Sequence, residues 1–365
     1  MEKNKIALVT YSLSAGGLER IVANSTFLFE EMGYEVHLYV VNSSVDYPFT
    51  GTLHCYKIDT LSTLGKAKAY IQLQKSIQRN GFHVIIDHRY RLNKATELFW
   101  QKVIYRQQNV LHYIHSARLY NYIFTSKIWN KLLFKHQLFV CVAKGIEEKV
   151  RTVFPALHTQ TIYNYVQVDE PTVLMDMPQK YIVALGRMDH SNVKQIDVLL
   201  ACYAASTLPL HHIHLLILGD GIRLKQMQQL AIDLGISNTV SFKGFVKNPC
   251  PYLKQALFTT LTSKYEGLPT VLIESLLLGT PVVSFNCATG PNEIVEDGQN
   301  GLLVADQNTD QFTQALNQMI DDVEQYQYMK NNCQSTVSKF QKAFIKAQWQ
   351  QLLSGTRSHQ IRKFL

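Results

Sequence analysis

The stretch Lys264-Tyr-Glu-Gly-Leu-Pro-Thr-Val-Leu-Ile-Glu-Ser-Leu-Leu-Leu-Gly279 decides how this chain is read. An apolar, β-prone run at 257–261 precedes it. Pro269 suits the first position of a helix, where its missing N–H would find no partner anyway. Val271, Leu272, Leu276 and Leu278 make the next turns too apolar for a solvent face. Gly279 reads as a left-handed stop, and Pro281 lies beyond it. The stretch therefore predicts a strand, a tight loop and a short buried helix. Glu266 stands in the loop, and Glu274 follows inside the helix, about one and a half turns on. A helix start offers N–H groups and a partial positive charge that suit a phosphate. The N–H groups of Leu268 and Thr270 are placed to hold a diphosphate. Glu266 then faces whatever hangs beyond the distal phosphate, and Glu274 reaches a diol such as a ribose. The competing reading is a solvated Glu in a short helix after a plain Glu-Gly loop. Against it, Glu274 lies between Ile273 and Leu276, and a carboxylate in so apolar a run needs a partner.

Glu266-x7-Glu274, with Gly-Leu-Pro between, resembles the E-x7-E signature of the family 4 retaining glycosyltransferases, which have the GT-B fold. Four further pieces follow the family's order. Gly186-Arg187 with Lys194-Gln-Ile-Asp197 is similar to its "G-R-x…K-G-x-D" segment, with Gln195 in place of the usual Gly and hence an expected local change of backbone. Gly290-Pro-Asn-Glu-Ile-Val295 and the run from Gly298 resemble "G-x-x-E-I-I…G-x-N-G-x-L". Thr161-Ile-Tyr-Asn-Tyr-Val166 resembles the stretch that closes the family's first domain. The likeness is strong over 181–305 and weak over 45–165.

The composition bounds these readings. A chain of 365 residues, 46% hydrophobic and 18% charged, is globular and long enough for two domains. Its six cysteines are scattered with no C-x-x-C pair, which favours neither a zinc site nor a disulfide framework and suits a reduced, cytoplasmic setting. The start runs straight into a strand pattern without a cleavage site, and no apolar run is long enough to cross a bilayer. The formal charge of +8 is uneven: −3 over 1–60, +10 over 61–170 and +1 over 171–365. A basic patch of this kind meets nucleic acid, an anionic membrane or a diphosphate.

Along the first half, a strand at 6–10, the loop Ser14-Ala-Gly-Gly-Leu-Glu-Arg20, a helix from about 18 and a strand at 36–41 make a β-α-β unit and predict a parallel sheet. The loop lacks the G-x-G-x-x-G spacing of a dinucleotide site, but Gly16-Gly17 permits close backbone approach; the resemblance places such a pair near the donor phosphates and the acceptor. Helices are expected at 66–79 and 93–103. His115 ends a strand-like run at 109–116, where ligands bind in open α/β sheets, and similar enzymes carry a His there that touches the donor sugar or the acceptor. His112, mid-strand, reads as core. The segment 100–136 interleaves Lys102, Arg106, Arg118, Lys127, Lys131 and Lys135 with Tyr105, Tyr113, Tyr120, Tyr122, Phe124, Trp129 and Phe134. Such a mixture suits rings at headgroup level with cations on anionic lipid, or core rings with solvated lysines outside. No nucleic-acid motif accompanies it.

In the second half, Arg187 as a fork and Lys194 as a point charge flank a strand-to-helix turn and are suited to clamp a diphosphate. His211-His-Ile-His214 reads as a surface loop before a strand rather than a metal site. Val246 follows a strand at 239–245, where relatives pair their backbone with the nucleobase. Closing helices are expected at 309–321 and 324–353. The chain divides into a first Rossmann-like domain at 1–167, a linker at 168–179, a second at 180–345, and a tail at 346–365 that the resemblance packs back on the first domain.

The resemblance implies an α/β GT-B fold: two facing Rossmann-like domains with the active site in the cleft between them. It implies retaining transfer of a hexose or N-acetylhexosamine from a nucleoside diphosphate sugar, UDP favoured, to a glycan hydroxyl. Glu266, Arg187, Lys194 and His115 are the catalytic candidates. Gly16, Gly17, Arg187, Lys194, Val246, Glu266, Gly267, Leu268, Pro269, Thr270 and Glu274 are the donor-binding candidates. No D-x-D-like motif lies near them, so no metal or other cofactor is expected. The basic, aromatic first domain suits a lipid-linked acceptor at an anionic membrane surface, contacted through 61–170, on the inner face of the plasma membrane. An epimerase or hydrolase of nucleotide sugars and a non-catalytic nucleotide- or glycan-binding protein are the alternative readings.

Overall fold

The computed structural model describes residues 3–14, 16–42, 44–168 and 177–355. They form two compact units: one runs to Tyr165 and includes the chain from Lys342 on, and the other spans Val166–Gln341. The linker expected at 168–179 falls largely on 169–176, outside the described residues, as does the end of the tail from 356.

The first unit is a seven-stranded sheet. In chain order its strands are β1 (Lys5–Thr10), β2 (Glu35–Val40), β3 (Thr52–Cys55), β4 (Val84–Asp87), β5 (Val110–Ile114), β6 (Leu138–Cys141) and β7 (His158–Thr161). They lie in the order β3-β2-β1-β4-β5-β6-β7, and every pairing is parallel. Helices α1 (Gly17–Glu31), α2 (Thr63–Asn80), α3 (Lys94–Phe99), α4 (Lys127–Phe134) and α5 (Lys144–Val153) make crossovers. Central strands are buried on both faces, so they read as continuous apolar runs and were legible: Ile6, Ala7, Leu8 and Val9 are all fully buried. Edge strands β3 and β7 (His-Thr-Gln-Thr) pair on one side only and carry no such run.

The second unit has β8 (Tyr181–Leu185), β9 (His214–Leu218), β10 (Val240–Gly244), β11 (Thr259–Leu261), β12 (Val282–Asn286) and β13 (Gly301–Ala305), ordered β10-β9-β8-β11-β12-β13 and again all parallel. Its helices are α6 (Ile196–Ala205), α7 (Leu224–Asp233), α8 (Cys250–Gln255), α9 (Thr270–Leu277), α10 (Pro291–Ile294), α11 (Thr309–Asp321) and α12 (Val323–Thr336). Both sheets reverse winding at one point, between β1 and β4 and between β8 and β11, as doubly wound Rossmann-like sheets do.

Three expectations are corrected. The helix expected at 93–103 is α3 followed by a wider π turn, Trp100–Ile104, which sets Trp100 and Ile104 fully inside the core. The helix expected at 324–353 is two, α12 and α13 (Lys342–Gly355), separated by the 3-10 turn Ser338–Phe340, where Val337 and Phe340 are fully buried. At this break the chain leaves the second unit, and α13 belongs to the first: Trp349 packs edge-on against Phe29 at 5.1 Å, and Lys342 and Lys346 pair with Glu31. Pro269 is the N-cap of α9, one residue before the position assigned to it, with an extended backbone (ψ 91°).

Candidate active site

In an open parallel sheet, ligands bind outside the carboxyl ends of the strands at the switch point. In the second unit that edge gathers the residues after β8, after β11 and after β12. Lys194 Nζ donates to Glu266 Oε1 at 2.6 Å. Three hydrogen bonds bring these distant residues together. The Thr262 hydroxyl donates to the carbonyls of both Lys194 and Gln195 at 3.1 Å, and the Lys264 N–H donates to the Val193 carbonyl at 2.9 Å. Gly186, at the end of β8, leaves room for the lysine stem: a Cβ there would stand 2.8 Å from Lys194 Cβ and Cγ. Arg187, the next residue, is exposed.

The loop ahead of α9 is seated from below. The Thr289 hydroxyl donates to the Glu266 carbonyl at 2.7 Å. Gly290 has φ +97°, a backbone L side chains rarely adopt, and a Cβ on it would lie 2.6 Å from Pro269 Cδ and 2.7 Å from the Gly267 carbonyl oxygen. Gly267, Leu268 and Pro269 are buried, while Glu266 and Thr270 are half-buried. No acidic side chain stands in the first turn of α9, so nothing on the helix itself offsets its positive end. Glu274 is 3% exposed, inside α9 between residues of the core. Gly279 has φ +78°, the left-handed stop read from the sequence.

Gln195 does not bring the change of backbone expected from the loss of Gly. It sits at φ 46°, ψ 50°, the left-handed conformation that Gly favours, as N-cap of α6. Its side chain is buried, and Nε2 donates to Gln307 Oε1 at 2.9 Å. Asp197 braces the start of α6. It accepts from Asn192 Nδ2 at 3.0 and 2.8 Å, from the Val198 N–H at 3.0 Å and from Arg223 at 3.3 Å. Burial pushes its carboxyl up, and these bonds more than offset that and hold it below the ordinary value. Val246, just past β10, packs with the cluster that includes Tyr181, Leu216 and Leu253.

The first unit holds the remaining candidates. Gly17 opens α1 and has open space where a Cβ would be. Gly16, its N-cap, makes room for the carboxylate of Glu19, which a Cβ would meet at 2.0 Å, and which accepts from the Ser12 hydroxyl at 3.3 Å. His115 follows β5, with Nε2 at 2.9 Å from His88 Nδ1. Burial holds both imidazoles below their ordinary value, His88 down at about 3, so both are neutral at pH 7. His115 Nδ1 is buried without a partner. His112 is core, as read: fully buried, with Arg91 2.8 Å from Nδ1. Around it Asp87 and Glu97 pair with Arg89 and Arg91 in a buried ionic cluster, and the Arg89 guanidinium lies 3.5 Å over the Trp100 ring. The rings of Tyr105, Tyr113, Tyr122, Phe124 and Phe134 are all buried, as is Trp100, so of the two readings of this segment the core one holds for them and the headgroup one does not.

Residues 169–336 match the model of the family described as Glycosyl transferases group 1. The match lies within the second unit and supports a glycosyltransferase. Among full-length relatives, the chain is 25% identical over 360 residues, 93% of this chain and 97% of the other, to N-acetylgalactosamine-N,N'-diacetylbacillosaminyl-diphospho-undecaprenol 4-alpha-N-acetylgalactosaminyltransferase of Campylobacter jejuni subsp. jejuni serotype O:2. Its fold matches the lipopolysaccharide outer core galactosyltransferase WaaB in apo form (TM-score 0.70, 19% identity, 96% of this chain and 99% of that one). It also matches HepE of Anabaena in complex with UDP (TM-score 0.75, 16% identity, 96% and 100%). The fold is GT-B.

Within the second unit the structure brings Lys194, Glu266 and the 267–270 loop into one place, with Glu274 in the helix behind. Gly16, Gly17 and His115 belong to the other unit. Sequence reading missed Thr262 and Thr289, whose hydroxyls tie the loops together. Their signal is faint: a hydroxyl just past an apolar strand is common and becomes informative only once its acceptor is known. Chemically, a cation and a bare helix start converge beside one half-buried carboxylate. Such an arrangement is chemically able to stabilise negative charge on a leaving group while the carboxylate holds a polar partner.

Proposed function

We propose that the protein is a retaining glycosyltransferase that moves a hexose or N-acetylhexosamine from a nucleoside diphosphate sugar, UDP favoured, to a hydroxyl of a lipid-linked glycan. The observation that carries this is the Lys194–Glu266 pair at the switch point of β8 and β11, in front of the start of α9. The relative from Campylobacter, whose name specifies a diphospho-undecaprenol acceptor, supports the acceptor class. The complex of HepE with UDP supports the nucleotide.

In this reading the diphosphate lies against the N–H groups of Gly267, Leu268 and Thr270. Glu274 binds the ribose hydroxyls and Val246 meets the base with its backbone. Arg187 and Lys194 take up the charge that grows on the leaving diphosphate, an interaction fully realised only in the transition state. No metal is required, because these two cations occupy the role a divalent ion would fill. Glu266 orients the sugar. It is already committed to Lys194, so the acceptor hydroxyl attacks from the face the phosphate leaves, with the departing oxygen taking its proton. Gly16 and Gly17 serve donor binding, and His115 touches the donor sugar or the acceptor. The enzyme works at an anionic membrane surface, on the inner face of the plasma membrane.

The deciding experiment is thermal shift against UDP, GDP, ADP and their sugars, for wild type and Glu274→Ala. A ligand at about a hundred times its Kd adds roughly 2.7 kcal/mol to stability, a readable rise in Tm. We expect a rise with a UDP sugar that Glu274→Ala removes, and turnover that survives EDTA. No rise with any nucleotide overturns the reading. A glycosyl adduct trapped on Glu266 overturns the same-face step alone.

A further inference from the structure

The sheet of the first unit has an unusual stretch of surface. Between residues 88 and 146 the only acidic side chain is Glu97, and it is buried against Arg89. Arg89 and Arg91 are buried with it, so the other cations of this stretch have no carboxylate of the same segment beside them on the outside. Lys94, Lys127, Lys131 and Lys135 are exposed.

Helix α4 is where apolar groups join them. Its inner face buries Asn130, Leu133 and Phe134, and Asn130 is fastened by both amide atoms to the backbone of Phe124. The outer face should then be polar. Instead Ile128 is 81% exposed and Leu132, one turn on, is 56% exposed. On a helical wheel this pair occupies the middle of the outer face, with Lys127, Lys131 and Lys135 along one side and half-buried Trp129 on the other. The neighbourhood extends the pattern. Lys94 Nζ stands 6.0 Å over the Trp129 ring, Leu92 is exposed ahead of α3, and exposed Tyr120 lies in the turn whose Asn121 carbonyl accepts from the Arg91 N–H.

We infer that the outer face of α4 is the element that docks the protein on an anionic lipid surface, with Ile128 and Leu132 entering the headgroup layer and Lys127, Lys131 and Lys135 lying on lipid phosphates. The inference rests on the membrane setting of the proposed function and names the surface that meets it. Two aliphatic side chains framed by three lysines match a bilayer interface, where apolar area and positive charge both contribute to binding. The buried rings of the same segment do not take part. No helix among the described residues is long and apolar enough to cross a membrane.

The test is co-sedimentation of the full chain with vesicles of phosphatidylcholine alone and of phosphatidylcholine with phosphatidylglycerol. Wild type binds the second kind, and salt weakens it. The double change Ile128→Asp with Leu132→Asp removes binding. Reversing Lys127, Lys131 and Lys135 to Glu weakens it by about a hundredfold or more. Leu210→Asp, at an exposed site of the second unit, changes nothing. A second readout reports which part of the chain meets the lipid. Trp100 and Trp349 are buried, so brominated lipid quenches only Trp129, and the double change abolishes that quenching. The UDP-induced rise in Tm is the same in all these variants, which separates docking from donor binding. Binding that persists in the double variant, no binding by wild type, or a change of oligomeric state in the double variant each overturns the inference, the last by making the face a protein contact.

Discussion

Lys194 and Glu266 stand 72 positions apart in the chain and 2.6 Å apart in space, and small residues make that possible. Gly186 lets the lysine stem lie against the end of β8, and Gly290 lets the loop at 267–269 descend onto its backbone. Each glycine belongs to a family pattern, but the reason it is glycine lies in atoms from another segment. Gly290 carries the sharper prediction. Ala there must both adopt φ +97° and clear Pro269 and the Gly267 carbonyl, so Gly290→Ala costs about 2 kcal/mol of stability. It also shifts the N–H groups proposed to face a diphosphate. A lowered Tm together with a weaker UDP-induced rise is the expected result; an unchanged nucleotide titration means that the loop does not hold the donor.

At the scale of elements, β4, β5 and the residues just past them hold three histidines that folding keeps neutral. Burial lowers His88, His112 and His115, and the nearby Arg91 adds to it for each. Their folded values lie below the ordinary 6.5, so on acidification the unfolded chain binds protons that the folded chain refuses. Stability is then greatest above pH 6.5 and falls as pH drops, for His88 down to about 3. Asp87 works in the same direction at lower pH. Burial pushes its carboxyl up, Arg89 and Arg91 outweigh this and hold it far below the ordinary value, and its contribution is lost below the usual carboxylate range. His88 is expected to remove about 1 kcal/mol of stability one pH unit below 6.5, and His112 and His115 act in the same direction. Urea unfolding of the first unit at pH 7.5 and 5.5 measures the sum, and equal midpoints contradict the burial of these rings. The same elements show where pattern reading failed. The alternation of cations and rings at 100–136 is identical for a headgroup belt and for a core with lysines outside, because one sequence period serves both.

At the scale of the whole molecule, the last helix returns the end of the chain to the unit in which the chain began. Trp349 is 4% exposed and packs against Phe29, with its ring stacked at 6.2 Å on Tyr113; Ile345 and Leu353 are buried beside it. Trp349→Ala is expected to cost about 3–5 kcal/mol. The loss falls on the first unit, so limited proteolysis should cut residues before Tyr165 earlier than those of Val166–Gln341. Uniform cutting of both units means that α13 does not support the first in this way.

The sequence by itself determined the α/β class, the parallel sheets and the stretch around which a site is built. Strands buried on both faces must be continuous apolar runs, and a carboxylate in such a run is conspicuous. It also supplied Arg187, Lys194, Glu266 and Glu274 as candidates, because strand ends and helix starts are local features. Tertiary structure alone decided that Lys194 meets Glu266, that Thr262 and Thr289 tie the loops, that Gln195 keeps a glycine-like backbone, and that six rings of the basic segment are core while Ile128 and Leu132 are not. Those are properties of pairs of segments. Burial and hydrogen-bond partners depend on what the rest of the chain places opposite a residue, and no local period records that.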